Sequence, residues 1–115
     1  MMLKDYAKVL YDTHRNGKPF CWVGAAVCDG EFQLKRIDYE EWEYNRRTGE
    51  VEINIYIDAA NTQKLCDALD VNTSAKLVAA IKKELGKESG GCALTSNLIH
   101  FCDEHGIEHD YQTWY

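Results

Sequence analysis

The chain has 115 residues, 45% of them hydrophobic and 28% charged, the proportions of one globular domain able to bury a core without metal or disulfide staples. Thirteen basic residues against nineteen acidic ones leave a net charge of -6, the wrong sign for neutralising phosphates. These values exclude a multidomain machine and argue against nucleic-acid binding, and the expectation is a single α+β domain over residues 1–115.

From the start of the chain, Leu3, Tyr6, Ala7, Leu10, Tyr11 and His14 recur at the spacing of an amphipathic helix, which predicts a first helix ended by Asn16-Gly17-Lys18-Pro19. Asp29-Gly30 then lies between two apolar runs and predicts a two-residue hairpin, because both central positions of a type I′ turn need φ > 0. That turn sets Val27 against Phe32, Ala25 against Leu34 and Val23 against Arg36. The other face carries Gly24, Ala26, Cys28, Glu31, Gln33 and Lys35, a mixed surface suited to a sheet with one wet side.

A second hairpin is expected around Arg46-Arg47-Thr48-Gly49, leading into Glu50 to Asp58, where Val51, Ile53, Ile55 and Ile57 alternate strictly. A four-residue loop at that place pairs Trp42 with Ile53 and Tyr44 with Val51 inside, and Glu43 with Glu52 outside. It also carries Glu40 into the core opposite Ile55, so a bulge or bend is expected near Asp38 to Glu41.

After Ala59 the hydrophobic period lengthens to that of a helix. Leu65, Cys66, Leu69 and Val71 indicate a short one, and Leu77, Val78, Ile81 and Leu85 a clearer one capped by Asn72 or Thr73 and closed by Gly86. Thr95 or Ser96 is placed as the cap of a last helix carrying Leu98, Ile99, Phe101 and Cys102, with Gly106 at its end. Ile107 to Tyr115 leaves room for a terminal strand.

The expected order is therefore α-β-β-β-α-α-α-β: an antiparallel sheet of three to four strands, two consecutive hairpins plus a C-terminal strand, with helices on one face. Its opening elements share an order, but no motif, with double-stranded-RNA-binding domains. Lys76, Lys82, Lys83 and Lys87 are too sparse a basic set for such a role in an acidic chain.

Five cysteines, at positions 21, 28, 66, 92 and 102, lack regular short spacing and predict reduced thiols; with no signal-like start, the expected location is cytoplasmic. The longest apolar stretch, Trp22 to Cys28, falls well short of the roughly 18 residues of a membrane span. No phosphate-cradling glycine loop, nucleophile elbow or dinucleotide fingerprint occurs, and no cofactor is implied.

Two chemical sites can be drawn from these residues. Cys92, after Gly90-Gly91 and before a helix, could be a nucleophile with His105 or His109 as base and Asp110 as orienting carboxylate, the arrangement of a thiol-dependent enzyme. Cys92, His100, Cys102, His105 and His109 could be metal ligands, but paired ligands at both ends of a zinc site are missing, and no metal is expected. Paired carboxylates acting on a glycoside need a pocket that a wet sheet face does not provide.

The most unusual segment is Asp38-Tyr39-Glu40-Glu41-Trp42-Glu43-Tyr44. Read as a strand, it buries Trp42 and Tyr44 and joins Tyr39, Glu41, Glu43, Glu52, Tyr56 and Asp58 into an outer acidic plate with aromatic anchors. Aromatics supply contact energy at interfaces and complementary charge supplies steering, so this composition fits recognition of a protein with a basic surface better than catalysis. The expectation is a small binding or regulatory protein acting by occupancy, one form of which is an inhibitor that mimics nucleic acid in a basic groove. Self-association is left open by the sequence.

Overall fold

A computed structural model describes residues 3–15, 18–42, 47–86 and 93–114, with backbone alone at 15, 18–20, 40–42 and 47–50. Four strands, β1 (Tyr6–Arg15), β2 (Lys18–Cys28), β3 (Glu31–Trp42) and β4 (Arg47–Ile57), precede three helices, α1 (Ala59–Leu69), α2 (Ser74–Leu85) and α3 (Leu94–Glu104), and a last strand, β5 (Asp110–Trp114). The strands form one antiparallel sheet in sequence order, β1 to β5.

The first hairpin forms as its turn chemistry requires. Asp29 and Gly30 both have positive φ, 53° and 79°, and Val27 faces Phe32, Ala25 faces Leu34 and Val23 faces Arg36. Inward residues of β2, β3 and β4 then make one buried row, Cys21, Val23, Ala25, Val27, Phe32, Leu34, Ile55 and Ile57. Leu65 and Cys66 of α1, Leu77, Val78 and Ile81 of α2, and Leu94, Leu98 and Cys102 of α3 close over that row.

The first expected helix is a strand. A register shift between Val9 and Tyr11 in the β1–β2 ladder inserts Leu10, so that buried Leu10 and partly buried Tyr11 follow one another toward the core. A bulged strand thereby reproduces the spacing of a helical stripe, and backbone pairing along β2 decides between the two. Tyr11 also donates its hydroxyl proton to the Gly86 carbonyl at 2.9 Å, with Lys82 Nζ 5.1 Å from its ring centroid. With a strand in first place, the order shared with double-stranded-RNA-binding domains disappears.

In the second hairpin Trp42 pairs with Arg47, not with Ile53, and the β3–β4 ladder runs without a break from Phe32–Ile57 to that end. The expected bulge at Asp38 to Glu41 is absent because the register that required it is wrong: Leu34, not Glu40, faces Ile55. The slip is by an even number of residues, so each described side chain keeps its expected face. Ile55 and Ile57 are buried as expected. Tyr44 and Glu43 lie outside the described residues.

Strands rise about 3.3 Å per residue and helices about 1.5 Å, so the eleven and twelve residues of β2, β3 and β4 outrun helices of the same count. The sheet projects past the helical layer, giving overall extents of 51 × 26 × 22 Å. Along the projection the inward row changes character: Arg36 and Asp38, both half-buried, pair at 2.7 Å, and Val51 and Ile53 are half-buried.

Thr73 caps α2, its hydroxyl accepting the Lys76 N–H at 3.2 Å, and Gly86 ends it. Neither Thr95 nor Ser96 caps α3; both lie inside its first turn, after Ala93. Asn97 ties α3 to α2 instead, donating to the Leu85 carbonyl at 2.7 Å. No helix among the described residues is long and apolar enough to cross a membrane.

Candidate interaction surface

The face of the sheet turned away from the helices takes Trp22, Gly24 and Ala26 from β2, Gln33, Lys35, Ile37 and Tyr39 from β3, Glu52, Asn54 and Tyr56 from β4, and Asp110, Gln112 and Trp114 from β5. Its centre is a closed polar ladder. Gln33 Nε2 donates to Asn54 Oδ1 at 3.2 Å, Asn54 Nδ2 donates to Glu52 Oε1 at 3.1 Å, and Lys35 Nζ meets that same oxygen at 3.2 Å. Asn54 is only 1% exposed, so these bonds satisfy amide groups that have lost water. The Asn54 amide, followed by Lys35, holds the Glu52 carboxyl below the usual glutamate range.

Glu52 is thus a rung of the ladder, with Ile37 and Trp114 as its register neighbours where Glu43 was expected. Tyr39 is half-buried opposite Glu50. The backbone of Glu41 pairs with Thr48, and Glu43 lies outside the described residues. Asp58 sits past the end of β4 as the cap of α1: its Oδ1 accepts the Asn61 N–H at 2.8 Å and the Asn61 side-chain amide at 3.0 Å. Those two bonds, the backbone one first, hold the Asp58 carboxyl below its ordinary range. Within the expected plate Glu52 is thus paired with Lys35 and Asp58 caps α1, while the side chains of Glu41 and Glu43 lie outside the described ones.

Two of its members meet acids that the sequence placed elsewhere. Tyr56 and Asp58 line a surface recess of about 310 Å³ with Glu31 at the start of β3 and Glu108, His109 and Asp110 at the approach to β5. Among the described residues neither lysine nor arginine lines it, although the Lys64 charge also helps to lower the Asp58 carboxyl. The recess exists because Asn61, 6% exposed, accepts the Glu108 N–H at 2.9 Å through its side-chain carbonyl while bonded to Asp58, which pins the chain entering β5 to the first turn of α1. No family model matches the chain, and no curated protein or solved structure does.

An apolar depression lies at the other side of the same face, about 340 Å³ bordered by Ala7, Val9, Trp22, Gly24 and Ala26 with Gln33 and Lys35. It follows from small side chains on β2. The Trp22 ring lies across Gly24, where a Cβ would stand 2.4 Å from Trp22 Cη2.

Among the described residues, His100, Cys102, His105 and His109 form no group of three that could hold a metal. Cys92 lies outside the described residues. Cys102 faces the core, and burial, with Asp103 adding to it, pushes its thiol up to about 11. His105 is exposed, stacks on Phe101 with ring centroids 4.1 Å apart and sets Nδ1 2.8 Å from the Phe101 carbonyl. His109 Nδ1 lies 3.2 Å from the Ile107 carbonyl. Among the described residues only Asp5, Cys28 and Asp29 gather three metal-capable groups. All three are exposed, and Asp29 above all, then Asp5, raises the Cys28 thiol.

Proposed function

We propose that the chain is a small binding or regulatory domain that recognises a protein with a basic surface, acting by occupancy and not by catalysis. The observation that carries this reading is the recess at the β4–β5 end, where Glu31, Asp58, Glu108 and Asp110 gather beside Tyr56 and outnumber the basic groups near them, His109 in the lining and Lys64 near Asp58. A concave acidic site with an aromatic wall suits a guanidinium or ammonium group, and steering by the net charge of -6 favours encounter with such a partner. Tyr56, Tyr111 and Trp114, at 37%, 49% and 57% exposure, supply the apolar contact area that charge alone does not.

The test is capture of partners from the source cell by the full chain, compared with a variant carrying Glu31→Lys, Glu108→Lys and Asp110→Lys. Asp58 is left in place because it caps α1. The expected result is a salt-sensitive basic partner lost by the variant at unchanged melting temperature. Equal capture by both proteins would overturn the reading.

A further inference from the structure

We infer that β5 is a docking edge, to which an extended basic segment of the partner adds as a sixth strand with a lysine or arginine entering the acidic recess. The inference rests on the recognition reading above and assigns it a mode. β5 is outermost in the sheet order, and an outermost strand presents a row of unpaired N–H and C=O groups to any extended chain. Edges of this kind are usually blunted by bulges, lysines, prolines or great shortness.

The two edges of this sheet differ in that respect. β1 carries two register irregularities in its pairing with β2, and Lys8, Asp12 and His14 along it are exposed. β5, Asp-Tyr-Gln-Thr-Trp, pairs with β4 without interruption from Asp110 to Trp114 and contains no lysine, proline or glycine. Three of the four exposed large hydrophobic residues among those described, Tyr56, Tyr111 and Trp114, belong to β4 and β5. Tyr111 shares the face of Ile55 and Trp114 the face of Glu52, so an added strand would find an aromatic platform on each side of the sheet. Main-chain bonds then supply affinity and alternate side-chain contacts supply selectivity.

The charge of the occupant follows from the recess, which includes Asp110 itself and lies at the start of the edge. A second copy of the chain answers these demands poorly: two chains of net charge -6 would meet edge to edge and bring no net positive charge to the recess. A basic strand meets both demands at once.

The experiment titrates the full chain with a fluorescent peptide alternating arginine and valine, its counterpart N-methylated at the backbone nitrogens, and its glutamate analogue. Changing the probe leaves the fold of the protein untouched. The expected result is binding of the arginine peptide, slowed hydrogen exchange at β5 amides, binding about tenfold or more weaker for the N-methylated peptide, and none for the glutamate analogue. Equal binding of the methylated and unmethylated peptides would overturn edge addition while leaving the acidic-surface reading intact. No binding of either, or concentration-dependent dimerisation of the chain that protects β5, would overturn the proposal, with the partner capture above deciding the broader reading separately.

Discussion

The side-chain carbonyl of Asn61 accepts the backbone N–H of Glu108 at 2.9 Å, a contact between the first turn of α1 and the approach to β5, 47 residues later in the chain. Through it the strand end that holds Tyr56 and Asp58 is joined to the segment that holds Glu108, His109 and Asp110. Asn61→Ala removes that acceptor and the amide bonded to Asp58, and is expected to cost about 1–3 kcal/mol. Urea unfolding measures the loss, and hydrogen exchange should accelerate in β5 before α2. Uniform acceleration would show that the clasp is not specific to β5.

Acid should weaken the fold through Asp58. Its folded value lies below the ordinary aspartate value of 3.8, so its contribution is complete above that value and is lost as pH falls through the lowered one. Glu52, held below the ordinary 4.5 by the Asn54 amide and Lys35, acts with the same sign. Asp58→Asn keeps an oxygen acceptor but removes the titration, so the gap in melting temperature between wild type and variant should narrow from about pH 5 to about pH 2.5. Parallel curves over that range would assign the acid sensitivity elsewhere.

Gly24 is constrained by the Trp22 ring. Gly24→Ala places a methyl group 2.4 Å from Cη2 and 2.9 Å from Cζ3 of that ring, so the indole must turn, at an expected cost of about 1–3 kcal/mol. Paired with Trp22→Ala, the same change should cost much less. Additive losses in denaturant unfolding of the two single variants and the double variant would show that the ring is not the obstacle.

Thiol reactivity should follow burial and local charge. Cys66 and Cys102 are fully buried with raised thiols and should resist iodoacetamide in the folded protein. Cys28 is accessible, yet Asp29 and Asp5 keep its thiol protonated to higher pH, so its alkylation should be slow at neutral pH and faster in Asp29→Asn. Mass mapping of the modified sites checks this order, and an Asp29→Asn rate equal to wild type would remove the electrostatic cause.

The outward face of Tyr56 was legible because alternation from Val51 to Ile57 assigns faces whatever the register, and an even slip leaves the assignment unchanged. Glu31, Glu108 and Asp110 were not legible as partners of Tyr56 and Asp58. Glu31 is brought to Asp58 by the β3–β4 register, which sets Phe32 against Ile57, and Glu108, three helices away in the chain, by β5 returning beside β4. Helical spacing misread β1 for a related reason: one inserted residue at Leu10 shifts strand alternation into a pattern that a helix also produces.

Local chemistry by itself determined the Asp29-Gly30 turn, the register it imposes, the inward row from Val23 to Ile57, and the end of α2, with its cap narrowed to Asn72 or Thr73, because each depends on neighbours in the chain or on a strict period. Only the tertiary structure decided that β1 is a strand, that Trp42 meets Arg47, that Lys35 and Asn54 occupy Glu52, and that Asp58 serves α1. Each of these is settled by a backbone or side-chain partner far away in sequence, whose hydrogen bond or burial outweighs any local preference.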